Sequence, residues 1–129
     1  MGLLTTGLIE QTRAIARALS EMPLDERVEA LNAVRAVLHE ASPFASEPVD
    51  CVRWVPAATV TANDYNPNSV APPEMKLLAT SILADGYTQP IVGNSEGDQI
   101  VVVDGFHRHR VGREVKKVRD RVLGYLPVV

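Results

Sequence analysis

The chain has 129 residues, of which 46% are hydrophobic and 22% are charged, and its formal net charge is −3. This composition is typical of one globular domain with room for a small appendage, and it excludes bulk disorder, collagen-like repeats and a coiled coil along the whole chain. The single Cys51 cannot form an internal disulfide, so we expect a reducing, cytoplasmic compartment. No apolar run approaches the roughly 20 residues that a bilayer requires, and we expect no signal peptide and no membrane contact.

The first part of the chain predicts two helices joined as a hairpin, at 1–44. Apolar and small residues between Thr5 and Ser20 form an uneven stripe at helical spacing. In the second helix, Pro23 suits the first turn and Ser42-Pro43 ends the pattern. Its apolar residues repeat at helical spacing: Leu24, Val28, Leu31, Val34 and Leu38. Packing on the main domain, docking of a partner and dimerisation all remain open as the role of this hairpin.

After a proline-bearing linker, the pattern changes to the short elements of an α+β domain at 49–129. The predicted strands are at 51–55, 90–92, 100–103 and 124–129, and the predicted helices are at 72–85 and 106–114. A turn-rich loop, Asn63-Asp64-Tyr65-Asn66-Pro67-Asn68, and a hairpin turn at 94–98 lie between them. Four β-branched residues at 100–103 predict a buried strand, and Trp54 is expected to anchor the core. The last strand reaches the end of the sequence, so a longer parent protein is left open.

Charge is unevenly distributed along the chain. The segment Asp104–Arg121 has seven basic and three acidic residues, a balance of +4, which leaves −7 on the remainder. A basic segment in an acidic protein indicates an anion-binding site, and the alternative is a solvated helix face with i,i+4 ion pairs. We expect only weak, sequence-independent contact with DNA, because phosphate contacts alone carry no sequence information.

The segment Val101–Arg110 combines an apolar strand, a one-glycine turn and a basic helix start. Free N–H groups at a helix N-terminus bind phosphate, and glycine lets the backbone approach the ligand closely. Arg108 and Arg110 would add charge-assisted hydrogen bonds, and His107 would add another donor. Basic residues at this end of a helix oppose its dipole, so the pattern favours an anionic ligand over a helix that is basic by chance.

The same segment does not predict two familiar kinds of site. A P-loop and a dinucleotide fingerprint both need more glycines than this turn contains. His107 and His109 are two residues apart, so on a helix they point away from each other, and we predict no metal site.

Taken together, the motifs from 49 to 129 resemble the ParB N-terminal (ParB/sulfiredoxin-like) domain. The family's Gly-x-x-Gln-Pro-Ile segment is matched by Gly86-Tyr87-Thr88-Gln89-Pro90-Ile91. Its Gly-Glu-Arg-Arg-x-Arg-Ala box lies on Gly105-Phe106-His107-Arg108-His109-Arg110-Val111, where the glycine and the arginines at 108 and 110 match. This box is also similar to the Gly-Cys-His-Arg box of sulfiredoxin and to the Asp-Gly-His-His-Arg box of ADP-dependent free-serine kinases. The loop at 63–68, the Gly-Phe-His-Arg-His-Arg box and Gly124-Tyr125-Leu126-Pro127-Val128 are most similar to the IbrB-type branch, ParB-like proteins described as transcriptional coactivators.

This resemblance implies a nucleotide phosphate site at the start of the box helix. The implied ligand is a nucleoside triphosphate, CTP or ATP, with or without Mg²⁺, and the implied contacts are Gln89, Pro90, Asp104, Gly105, Phe106, His107, Arg108 and Arg110. The implied function is a nucleotide-binding regulatory module that acts through a protein partner in DNA-linked processes such as transcription regulation or partition, with a homodimer left open. A phosphotransferase or nucleotide hydrolase on the same site is the alternative. A nuclease ranks last, because the carboxylates that would hold its metal are scattered.

Departures from the family pattern limit what the resemblance implies. Phe106 stands where sulfiredoxin has its nucleophilic Cys and where the ParB box has its Glu, so we expect no sulfinic-acid reduction and no efficient CTP hydrolysis. No helix-turn-helix follows the domain in this sequence, so we do not expect operator-specific DNA binding by this chain alone. Glu74 and Asp85, the acids considered as a kinase base, are better explained as surface residues of the helix at 72–85.

Overall fold

The computed structural model describes residues 1–62 and 72–129, and the predicted loop at 63–68 lies outside these residues. The chain divides into two compact units, Met1–Ala45 and Ser46–Val129. The first unit contains two α-helices, and the described part of the second combines short strands with three α-helices and two short 3₁₀ helices. The predicted α+β class and the N-terminal helical hairpin are therefore confirmed.

The N-terminal unit consists of α1 (Leu3–Ser20) and α2 (Leu24–Glu40). The Arg27 guanidinium stabilises the turn between them, because its Nη2 donates to the carbonyls of Ser20 and Met22 at 3.0 and 2.8 Å. No residue of either helix is buried, and Leu38 in the predicted stripe is 63% exposed. Within this unit each helix has only one partner helix, which leaves much of the apolar stripe uncovered.

The C-terminal unit contains two small sheets. The first pairs β1 (Arg53–Pro56) antiparallel with β5 (Tyr125–Val128). The second has the order β2-β4-β3, with β2 (Val60–Thr61) parallel and β3 (Val92–Glu96) antiparallel to the central β4 (Gln99–Asp104). Ile91 joins the sheets, since its N–H donates to Pro127 O and its carbonyl accepts from Val129 N, both at 2.9 Å.

Three details of these strands differ from the prediction. β3 continues to Glu96 and turns at Gly97-Asp98, so the predicted turn at 94–98 is too wide and the predicted strand at 90–92 too short. β4 is not buried throughout, because successive side chains point to opposite faces and Val103 is 51% exposed. Trp54 is half-buried for the same reason, and the neighbouring Val55 is the core residue.

Three helices complete the unit: α3 (Pro72–Asp85), α4 (Phe106–Glu114) and α5 (Lys116–Arg121). They pack through one apolar cluster, Ala79, Ile82, Val111 and Val118. A second cluster joins the two sheets: Val55, Val60, Ile91, Ile100, Val102, Leu126 and Val128. Tyr87 packs against both clusters and so links the helices to the sheets. None of the helices in the described ranges is both long enough and apolar enough to cross a bilayer.

We expect residues 46–129 to fold without residues 1–45, because both buried clusters lie in the second unit. The isolated fragment should unfold cooperatively in a thermal melt followed by circular dichroism. A peptide of residues 1–45 should be weakly helical on its own, since isolated helices of this length are marginal in water. Non-cooperative melting of the 46–129 fragment would contradict the division.

Candidate functional site

The candidate site is centred on the turn between β4 and α4. Gly105 is buried, has a φ of +91°, and precedes the first residue of α4. A Cβ at this position would lie 2.9 Å from Nη2 of Arg108, so the glycine is required for its conformation and for the close approach of that side chain. The Asp104 carboxylate accepts the N–H of Gly105 at 2.9 Å. The turn therefore starts the helix within a single residue of the strand.

The first turn of α4 presents backbone donors. The first N–H···O bond of the helix runs from His109 N to Gly105 O at 2.9 Å. The N–H groups of residues 106–108 precede it and have no carbonyl within the helix to accept them. These groups carry the partial positive charge of the helix N-terminus, which suits an anion.

Arg108 is the basic side chain closest to this turn. Its Nη2 donates to the carbonyl of Pro90 at 3.3 Å. Its Nε is buried and has no hydrogen-bond partner in the part of the chain that the structure describes. A buried polar atom without a partner costs stability, and in native proteins such atoms often indicate a bound group. The Nε of Arg108 is therefore a buried donor for which the described residues supply no acceptor.

Arg108 also lines a cleft of about 240 Å³ beside the turn. Leu78 and Ile82 of α3 form an apolar wall, and the C-terminal end of α3 contributes Asp85. The segment that follows α3 adds Thr88 and Gln89, and Ser81, Gly86 and Tyr87 complete the lining. Among the described residues, the cleft thus combines an apolar wall, a cation, a carboxylate and neutral polar groups, which is the usual make-up of a small-molecule site.

Tyr87 holds the cleft segment against α4. Its hydroxyl donates to the carbonyl of Arg108 at 3.0 Å. Burial raises the pKa of Tyr87 to about 12, and the charge of Arg108 offsets part of that rise. The phenol is therefore protonated at neutral pH and acts as a donor rather than a base. Tyr87 has no predicted role, and its place within the Gly86–Ile91 motif is the signal that the sequence offers.

His109 links α4 to β2. It is 1% exposed, and its Nε2 lies 3.1 Å from the carbonyl of Val60, which fixes Nε2 as the protonated nitrogen. Burial lowers the pKa of His109, although the bond to Val60 and the nearby Glu114 act in the opposite direction. His107 is exposed. The two histidines therefore occupy different environments, and His109 has a structural role.

Five of the predicted contact residues lie at the turn or the cleft. Gln89 and Arg108 line the cleft, Pro90 supplies the carbonyl that Arg108 contacts, and Asp104 and Gly105 form the turn.

The other three predicted contacts are placed differently. His107 is exposed in the first turn of α4, and Phe106 packs against the sheet cluster. Arg110 does not line the cleft, because two positions along a helix rotate a side chain by about 200°. Its Nε instead pairs with Glu114 at 3.0 Å, with both side chains about half exposed.

Comparison with known proteins finds a relative by sequence and neighbours by structure. No family model matches the chain. The uncharacterized protein YbdM of Escherichia coli (strain K12) is 48% identical over 118 residues, or 91% of this chain, and the chain spans 56% of that protein's length. A crystal structure of C-terminally truncated chromosome-partitioning protein ParB from Caulobacter crescentus, complexed with CTP-gamma-S, is similar with a TM-score of 0.49 and 21% identity. That similarity covers 60% of this chain and 42% of the ParB chain.

Gly112→Ala should destabilise the chain by about 1–3 kcal/mol, because the new Cβ would collide with the Tyr87 hydroxyl and with Leu126. Chemical denaturation followed by tryptophan fluorescence measures the loss. The matched control is Gly7→Ala in α1, where nothing lies within 4 Å of the new Cβ, and it should leave the transition reported by Trp54 unchanged because Trp54 belongs to the other unit. Equal stabilities of the two variants would contradict the tight packing at Gly112.

His109 should make the chain less stable as the pH falls below about 6.5. Its folded pKa is lowered, so below that pH the unfolded state binds more protons, and the stability lost is at most about 1.4 kcal/mol per pH unit. His109→Gln keeps a donor for the Val60 carbonyl but does not titrate. Denaturation between pH 7.5 and 5.5 should give a steeper decline for the wild type than for the variant, and parallel declines would refute this.

Proposed function

We propose that this chain is a nucleotide-binding regulatory module whose phosphate site is the start of α4. The observation that carries the proposal is Arg108, which lines the cleft beside the Gly105 turn and whose buried Nε has no partner among the described residues. A phosphate oxygen is a strong acceptor for such a group, and a guanidinium binds phosphate through paired hydrogen bonds.

Electrostatics supports an anion at this place. Arg108 sits in the first turn of α4, where its charge opposes the helix dipole, and no carboxylate pairs with it in the described ranges. Bound phosphate would compensate both the helix N-terminus and the guanidinium. The exposed His107 in the same turn would add a donor at the outer side of the phosphates.

The dimensions of the cleft favour a nucleotide over a simple inorganic anion. A volume of about 240 Å³ is below the 300–1,000 Å³ typical of sites that enclose a whole drug-sized ligand. It suits the base and sugar of a nucleotide, whose phosphates would then extend over the start of α4. The sequence resemblance implies a nucleoside triphosphate, CTP or ATP, with or without Mg²⁺. Such a ligand has a base and sugar for the cleft and phosphates for the start of α4.

A regulatory role in DNA-linked processes through a protein partner is the second part of the proposal. It rests on the sequence resemblance and on the contacts that the basic residues make within the chain. The guanidiniums of Arg119 and Arg121 donate to the carbonyls of Arg113 and Leu83 at 3.0 and 3.1 Å. Lys116 pairs with Asp120 at 2.7 Å. Because much of the basic segment contacts its own chain, direct DNA binding should be weak and strongly reduced by salt.

Arg108→Ala should reduce nucleotide affinity by about 1.5–3 kcal/mol, the usual value of a hydrogen bond to a charged group. Isothermal titration calorimetry with CTP and ATP in Mg²⁺ measures the change. Arg113→Ala is the matched control, because it removes the same charge from the same helix at a side chain that is 53% exposed. Equal affinities of the Arg108→Ala variant and the wild type would refute the proposed phosphate site.

A further inference from the structure

We infer that Asp85 selects the base of the nucleotide, by accepting a hydrogen bond from an exocyclic amino group. The site would then favour bases that carry an amino group over the matching bases that carry a carbonyl at the same position. This inference rests on the proposed nucleotide-binding function and assigns a role to a residue that the sequence analysis explained as a surface acid.

Asp85 is exposed and borders the cleft that Arg108 also lines. It is the last residue of α3, followed by Gly86 with a φ of +80°, and it lines the cleft. A negative charge at a helix C-terminus opposes the helix dipole. The Arg121 guanidinium, which donates to the Leu83 carbonyl and lies beside Gly86, offsets the dipole at this helix end. The Asp85 carboxylate itself has neither an ion pair nor a hydrogen bond within the described part of the chain.

Asp85 and Arg108 carry opposite charges, and neither has an ion pair among the described residues. Each places a charge at the helix end that disfavours it, and both line one cleft. A ligand that is anionic at one end and carries hydrogen-bond donors at the other compensates both charges at once. A nucleotide with an amino-bearing base has this polarity, and the apolar wall of Leu78 and Ile82 suits the face of its ring.

The chemistry of the carboxylate determines which bases it favours. An ionised carboxylate only accepts hydrogen bonds. Cytosine and adenine present an amino donor where uracil and hypoxanthine present a carbonyl oxygen, which a carboxylate repels. An unpaired or repelled polar group inside a site discriminates strongly between otherwise similar ligands. CTP against UTP and ATP against ITP are therefore matched pairs of probes for this contact.

The test measures the affinity of the full chain for CTP, UTP, ATP and ITP in Mg²⁺, for the wild type and two variants. In at least one pair, the wild type should bind the amino-bearing member about three- to tenfold more tightly, the range expected of one exposed hydrogen bond. Asp85→Asn should remove or reverse this preference, because an amide also donates to a carbonyl. Glu74→Gln, which removes the same charge from the first turn of α3, should leave the preference unchanged.

The outcomes separate the two proposals. Nucleotide binding without an amino preference, or a preference that persists in Asp85→Asn, would overturn the role of Asp85 and leave the proposed function intact. Failure of the wild type to bind any of the four nucleotides would overturn the proposed function itself. The melting temperature of Asp85→Asn without ligand should equal or exceed that of the wild type, since the substitution removes a charge that opposes the dipole. A lower melting temperature would assign Asp85 a structural role instead.

Discussion

The left-handed conformation of Gly105 determines where α4 begins, and the candidate site depends on that position. With a φ of +91°, the chain passes from β4 into α4 through one residue, so the donors of the helix start lie at the end of a strand in the sheet. The lack of a side chain at Gly105 also leaves room for the Arg108 guanidinium. A larger residue would strain the turn and displace the Arg108 side chain.

Tyr87 connects this turn to the rest of the C-terminal unit. It packs against both apolar clusters, and its hydroxyl holds the carbonyl of Arg108. Gly112 permits the approach, because any Cβ there would meet the Tyr87 hydroxyl. The segment between α3 and β3 is thereby fixed against α4, which keeps Gln89 and Asp85 on the same cleft as Arg108.

Arg108 and Asp85, which line the cleft, both lie at helix ends where their charge is unfavourable. Arg108 at the start of α4 and Asp85 at the end of α3 each oppose a helix dipole, and the buried Nε of Arg108 lacks a partner among residues 1–62 and 72–129. Arg119 and Arg121 have the stabilising placement, since they donate to carbonyls near the C-terminal ends of α4 and α3, and Asp85 brings an opposing charge to the α3 end. Departures of this kind confined to one cleft are typical of binding sites.

The sequence by itself determined the α+β class, the helical hairpin and the start of α4, because helical periodicity and the Asp-Gly turn are local signals. It also pointed to Gly105 and Arg108. Only the tertiary structure decided which side chains meet at the cleft. It placed Arg110 on the surface and Phe106 against the sheet, and it brought Tyr87 and Asp85 to the site. Side-chain contacts between residues about twenty positions apart depend on how α3, α4 and the sheets pack, and no local pattern encodes that packing.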